Sequence, residues 1–401
     1  MWEVFYRKPR GVKEMKKKIL IVLSYVLVAA LACGATLAFV YSGTESSKLL
    51  DLEDLILTRF AGDPDPTAIE DAAADAMVQA MGDRWSYYIP ASEYDDFADN
   101  SANAYVGIGV TVQATEDGTG LEVVAVQAGG PAAEAGMELG DIIVQVDGTS
   151  VEGMTISEVS AMIKGEEGTS VTVTVLRSGD GISLYMTRKR METVVASARL
   201  LNEHVGLVTI RNFDERCAQE TIAAIEDVLE QGADMLLFDV RNNPGGYAEE
   251  LVKVLDYLLP AGDLMRTVGT DGSDETMTSD EKCLNVPMAV LINENSYSAA
   301  ELFAADLSEY GAAKTFGQPT SGKGFYQNVF RFTDGSAVGL SIGRYYTGHG
   351  NNLEGVGLIP DVEVRLDDES EALLYNGMLE PENDTQLQAA LEYLMDKVVR
   401  P

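Results

Sequence analysis

Histidine is nearly absent from this chain, which has only His204 and His349. Most hydrolytic triads and most zinc sites need an imidazole, and neither histidine stands in a recognisable setting. There is no His-Glu-x-x-His, no Cys-x-x-Cys and no Gly-x-Ser-x-Gly turn, so neither a metal nor a cofactor is expected. Cysteine is scarce as well. Of the three residues, Cys33 lies in an apolar N-terminal run, and although Cys217 and Cys283 could pair, nothing in the sequence requires it; a disulfide framework is excluded. Positive charge is the third deficit, with 29 Lys and Arg against 64 Asp and Glu, a formal charge of −35. Outside the first 18 residues 22 basic residues face 62 acidic ones, a balance that repels phosphate backbones and excludes nucleic acid as a partner. Such acidity suits solubility in an exposed setting.

What is present starts with one long uncharged stretch, Ile19 to Thr44. Its apolar part, Ile19 to Tyr41, would span roughly 34 Å as a helix at about 1.5 Å per residue, enough to cross a bilayer. Arg7, Lys8, Arg10, Lys13, Lys16, Lys17 and Lys18 precede it, which predicts a cytoplasmic N-terminus and a chain that lies otherwise outside. A cleaved signal peptide is the competing reading, but the run exceeds a usual signal core and no clean cleavage site follows it.

The remainder is long enough, and at 46% hydrophobic residues apolar enough, for two or three packed cores. The fold class expected is a multidomain α/β chain: a basic segment (1–18), a transmembrane helix (19–41), a small helical region (42–100), a β-rich module (101–190) and an α/β core ending in a helix (191–401). In the helical region, Gly62-Asp63-Pro64-Asp65-Pro66 reads as a turn between two helices, with Thr67 as a cap. From Tyr105 the apolar period changes to two, and Val106 to Val112, Leu121 to Val126, Ile142 to Val146 and Val171 to Leu176 read as strands around a helix at Ile156 to Ile163. Further on, Val205 to Ile210, Met235 to Val240 and Met288 to Ile292 read as strands. Gln219 to Glu230 and Ala248 to Leu259 read as helices, and Thr385 to Val399 as an amphipathic one capped by Asp384.

Without histidine, a hydrolase needs another base. A lysine serves if burial lowers its reference pKa of about 10.4 by several units. Lys323 is the candidate, because glycines flank it in Thr320-Ser321-Gly322-Lys323-Gly324 and aromatics follow. The same stretch approaches a phosphate-binding loop, Gly317 to Lys323, but Gly324 stands where Ser or Thr is needed and a strand-like segment follows in place of a helix. Upstream, Ser298 sits at a strand-to-helix turn in Asn293-Glu294-Asn295-Ser296-Tyr297-Ser298-Ala299-Ala300-Glu301, placed either as an exposed nucleophile or simply as an N-cap. A second such turn, Asp239 to Tyr247, carries Gly245 and Gly246, whose bare amides could point into a site.

Together these segments resemble the carboxyl-terminal processing peptidases, or tail-specific proteases. Asp239 to Gly246 is similar to the family's Asp-Leu-Arg-Asn-Asn-Pro-Gly-Gly motif, Ser296 to Glu301 to its Ser-Ala-Ser-x-Ser-Glu turn, and Gly322 to Gln327 to its Gly-Lys-Gly-x-x-Gln motif. Tyr297 and Ala300 depart from the usual Ala and Ser. Asp83 to Tyr88 resembles an Asp-Pro-Tyr-Ser-x-Tyr stretch, with Arg84 and Trp85 departing from it. Gly107-Ile108-Gly109-Val110 looks like the carboxylate-binding loop of a PDZ domain, and Gly136 to Gly148 resembles the core of one. The N-terminal apolar run with its preceding basic residues would anchor the chain in the membrane with the catalytic part outside the cytoplasm, and the resemblance implies a serine endopeptidase. In it Ser298 is the nucleophile, Lys323 the base, Gln327 orients the lysine, and amides of Ala299 and of Gly245 or Gly246 form an oxyanion hole. It further implies protein or peptide substrates with an accessible C-terminus, received by Gly107, Ile108, Gly109 and Val110, and leaves an oligomer open. A catalytically silent PDZ scaffold is the rival reading; it would not need Ser298, Lys323 and Gln327 together.

Overall fold

The computed structural model describes residues 23–28, 30–31, 48–115 and 118–399, in two compact units, Met1–Met77 and Val78–Pro401. The expected membrane segment 19–41 therefore lies mostly outside the described residues. Residues 23–28, 30 and 31 are helical, and among the described residues no helix is long and apolar enough to cross a membrane. Lys48–Arg59 and Pro66–Gln79 form the two expected helices. Their turn differs in one detail: Asp65, not Thr67, caps the second helix, its Oδ1 accepting the N–H groups of Thr67 and Ala68 at 3.0 and 3.3 Å. With Pro66 at the first helical position, the carboxylate before it is the one aimed at the open amides.

In the larger unit, residues 110–187 build an antiparallel sheet of Val110–Ala114, Leu121–Val126, Ile142–Val146, Ser170–Arg177 and Asp180–Thr187. Helix Ile156–Ile163, capped by Thr155 and Glu158, packs Val159 and Ile163 onto Ile108, Val146 and Val173. The module is joined on both sides through a short ribbon, Ala104–Gly107 paired with Lys189–Glu192.

The main core is a second sheet in which Val205–Ile210, Met235–Asp239, Met288–Ile292, Ala313–Gly317 and Val362–Glu363 run parallel, with Ala196–Leu200 antiparallel at one edge. Its strands are apolar on both faces because both are covered. Val208, Ile210, Leu236, Phe238, Val290 and Ile292 point toward helices Cys217–Glu230, Ala248–Leu258 and Ala299–Glu309. Their neighbours Leu207, Met235, Leu237, Ala289 and Leu291 point the other way, onto Leu387, Ala390 and Leu394 of helix Thr385–Val399. Each buried Leu on that helix is worth about 1.5–3 kcal/mol. A further antiparallel sheet, joining Tyr87–Ile89, Gly262–Gly269, Asp274–Ser279, Phe325–Arg331 and Ala337–Thr347, was not read from the sequence beyond the strand after Lys323.

Candidate active site

Loops that leave the C-terminal ends of parallel strands meet on one edge of an α/β sheet, which is where such folds place ligands. Those that do so here include Asp239 to Tyr247, Asn293 to Ser298, and Gln318 to Gly324. The first two are laced together. Asn242 N–H donates to Asn293 Oδ1 at 2.9 Å, Asn293 and Asn295 both donate to Asn242 Oδ1, Ser296 Oγ donates to Val240 O at 2.8 Å, and Tyr297 N–H donates to Asn243 O at 3.1 Å. Behind them Arg241, almost wholly buried, pairs with Asp239 at 2.6 Å and with Asp384 at 2.7 Å, tying the loop to the start of the C-terminal helix. Asp384 also caps that helix, as expected, accepting from Gln386 and Leu387 N–H.

Ser298 sits directly before helix Ala299–Glu309 with φ 60° and ψ −122°, a conformation that costs a residue with a Cβ about 1–3 kcal/mol. Glu301 holds it there. This fully buried carboxylate accepts N–H groups from Ser298 (3.0 Å), Gly322 (2.8 Å) and Lys323 (2.9 Å) and the hydroxyl of Thr320. One side chain thus fastens the turn of the serine to the loop of the lysine. Burial pushes the Glu301 carboxyl upward, and the four donors oppose that.

Burial likewise depresses the Lys323 amine from 10.5 to about 8, against the pull of Glu301, Asp83 and Glu354. Its Nζ lies 5.3 Å from the centre of the Trp85 ring and 5.8 Å from that of Tyr297. Tyr345, almost fully buried, donates its hydroxyl to the carbonyl of Lys323 and meets the Ser298 side chain.

Two of the expected roles look different in three dimensions. Gln327 lies on the strand after the lysine loop, where its Nε2 donates to Phe325 O at 3.1 Å and to Ser341 Oγ at 3.0 Å, which engages its donors on its own strand and the neighbouring one; among the described residues no hydrogen bond joins it to Lys323. Gly245 is packed against Ser298: its φ is 88°, and a Cβ there would stand 2.7 Å from Ser298 Cβ. Its N–H, however, donates to Asn243 Oδ1 at 2.8 Å. That leaves the N–H groups of Gly246 and Ala299 without an acceptor among the described residues. The histidines are remote. His204 precedes strand Val205–Ile210 and so lies on the opposite edge of the sheet, near Asp234. His349 rests on Tyr310, past the far end of helix Ala299–Glu309, about 16 Å along the axis from Ser298. Cys217 is buried and Cys283 exposed, and both are free.

In the β-rich module, Gly107, Ile108, Gly109 and Val110 line a small cleft with Tyr105, Ser160 and Lys164. Gly109 adopts φ 80°, and the carbonyls of Ile108 and Gly109 are held by Ala132 and Gln127 N–H at 2.9 Å each. Lys164, which the sequence did not single out, brings a cation to the helix side of this cleft. Of the other residues around the site, Trp85, Tyr345 and Glu354 carry no sequence signal of a role, whereas Glu301 carries one, the Ser-x-x-Glu spacing of a capping box.

Residues 204–364 match the model of Peptidase family S41, and residues 122–177 that of the PDZ domain. The chain is 32% identical over 307 residues to the carboxy-terminal processing protease CtpA of Bacillus subtilis (strain 168), covering 76% of this chain and 66% of that one. It is 28% identical over 329 residues to the carboxyl-terminal-processing protease of Synechocystis sp., covering 80% and 76%. A crystal structure of a candidate S41 protease from Bacteroides fragilis NCTC 9343 is similar in fold alone, at 17% identity and a TM-score of 0.53 over 86% of this chain and 97% of that one. The chain belongs to peptidase family S41, among the serine-type carboxy-terminal processing proteases, and carries a PDZ domain. It spans about two thirds of the length of the Bacillus subtilis relative.

Proposed function

We propose that this chain is a serine endopeptidase in which Lys323, not a histidine, activates Ser298. The observation that carries the reading is the Glu301 carboxylate, which binds the amides of Ser298 and Lys323 at once and fixes the two loops to each other. Neutral Lys323 takes the proton of Ser298, whose oxygen attacks the peptide carbonyl; the oxyanion is met by the amides of Ala299 and Gly246. The lysine then gives its proton to the leaving amine, and water attacks the acyl-enzyme to regenerate Ser298. Gln327 orients the lysine through its Oε1, which accepts an N–H of the amine while Nε2 stays fixed on Phe325 O and Ser341 Oγ.

The PDZ cleft receives a substrate C-terminus by strand addition, its carboxylate meeting the amides around Gly109 and its apolar last side chain the cleft beside Ile163. Residues 19–41 anchor the chain, with the basic residues before them in the cytoplasm and the catalytic part outside. Ser298→Ala, Lys323→Ala and Lys323→Arg should each abolish peptide cleavage, whereas His204→Ala and His349→Ala should retain it. Turnover by Lys323→Ala, or a histidine substitution as damaging as Ser298→Ala, would overturn the assignment. Protease added to intact cells should digest the catalytic part, and its protection would overturn the topology.

A further inference from the structure

Two residues that depart from the family's motifs, Trp85 and Tyr297, come from distant parts of the chain and meet beside the same amine. Their ring centres are 6.1 Å apart with planes inclined by 29°, and Lys323 Nζ stands 5.3 and 5.8 Å from them. These three distances describe a nearly equilateral triangle, so the nitrogen caps the pair. No hydrogen bond joins Nζ to Ser298 or Gln327 among the described residues, and both rings lie within cation–π reach of it. We infer that Trp85 and Tyr297 are positioning residues for Lys323, a two-ring seat that holds its amine in the charged form while the site is empty; this rests on the reading of Lys323 as the general base.

The seat is braced. The Arg84 guanidinium lies 4.2 Å from the Trp85 ring and donates to the carbonyls of Ser321 and Gly322 at 2.9 Å each. The indole N–H donates to Glu354 at 3.2 Å, and Glu354 in turn accepts the N–H of Gly324 at 2.7 Å. Segment 83–86 is therefore clamped onto the lysine loop from both sides, while Tyr297 is fixed through its own N–H to Asn243. Aromatic faces attract an ammonium and give a neutral amine nothing comparable. The other groups facing Lys323 are the carboxylates of Glu301, Asp83 and Glu354, which also favour the charge, and the phenol of Tyr345 on the lysine carbonyl; the Arg84 guanidinium lies on the Trp85 ring.

A wall that merely excludes water and a seat that binds a cation predict opposite signs. If the rings only exclude water, a smaller aliphatic residue admits water and the amine holds its proton to higher pH. If they bind the ammonium, the same substitution lets the proton go at lower pH. The test is an NMR titration of ¹³C-lysine in the full chain, solubilised in detergent and carrying Ser298→Ala to prevent self-cleavage, with Lys323→Gln used to assign the resonance. Trp85→Leu and Tyr297→Leu should each move the Lys323 midpoint down by roughly half to one pH unit, while Trp85→Phe, which keeps a ring but loses the indole N–H, should stay near the parent. An unchanged or higher midpoint in the leucine variants overturns the inference; should Trp85→Leu fail to fold, Tyr297→Leu carries the test alone. With Ser298 restored, the acid limb of kcat/KM should move by the same amount. A midpoint that moves without the limb would sustain the seat and refute Lys323 as the base.

Discussion

Activity should be governed by a single deprotonation near pH 8. A lysine in water titrates near 10.5, and burial at this site brings Lys323 to about 8. At pH 7 about 10% of such a lysine is neutral, against about 0.03% for an exposed one, so the surroundings supply roughly 300-fold more active base. In the proposed mechanism the neutral amine is the base, so kcat/KM should be low below pH 7, rise about tenfold per unit, and level above about pH 9. The carboxylates of Glu301, Asp83 and Glu354 hold the proton on, so Glu354→Gln should shift the limb to lower pH. The assay is the initial rate on an internally quenched peptide with an apolar C-terminal residue, measured at constant ionic strength from about pH 6 to about pH 10. A limb near 6.5 would signal an imidazole and refute the argument, as would one near 10, which would mean that burial does not act on this lysine.

Glu301→Gln keeps one acceptor but turns an amino group toward the N–H donors now bound by the carboxylate; kcat should fall about a hundredfold with KM little changed, in steady-state kinetics. Gly245→Ala forces a Cβ to within 2.7 Å of Ser298 Cβ at a φ of 88°, and should abolish labelling of Ser298 by a fluorophosphonate while lowering stability by about 1–3 kcal/mol in urea unfolding. Asp384→Ala leaves Arg241 short of one buried partner and should cost about 3–5 kcal/mol, read as a fall in Tm.

How far the sequence shows this depends on whether a contact is local. Met288–Ile292 is legible because all five residues are apolar and buried, and helix Thr385–Val399 because its apolar positions recur at helical spacing. Asp274–Ser279 is not legible: Asp-Glu-Thr-Met-Thr-Ser is mostly exposed and shows no apolar alternation, and only its pairing with Gly262–Gly269 makes it a strand. The same holds for Tyr87–Ile89, whose partner strand begins at Ala337. At the site, residue identities are legible and hydrogen-bond assignments are not. Which of Gly245 and Gly246 offers its N–H turns on the orientation of Asn243, and Trp85 meets Lys323 only because the chain between them folds.

A serine that works with lysine faces a problem that a serine working with histidine does not. Imidazole is already half neutral near pH 6.5, whereas an amine must be desolvated to become a base, and a desolvated amine without partners is unstable. With Lys323 as the proposed base, separate elements would meet these demands. Gly322 and Gly324 let the backbone close around the lysine: a Cβ on Gly322 would stand 2.9 Å from Gly357 N, and one on Gly324 2.6 Å from Glu354 N. Glu301 is bound through the backbone amide of Lys323, so its charge is engaged by four donors and is partly spent before it reaches Nζ. The rings of Trp85 and Tyr297 supply an attraction to the charged amine that needs no further anion. If Glu301 instead formed a direct ion pair with Nζ, the lysine would stay protonated well above pH 8 and the base would be lost; the position of this carboxylate behind the backbone is what makes a buried acid compatible with a lysine base.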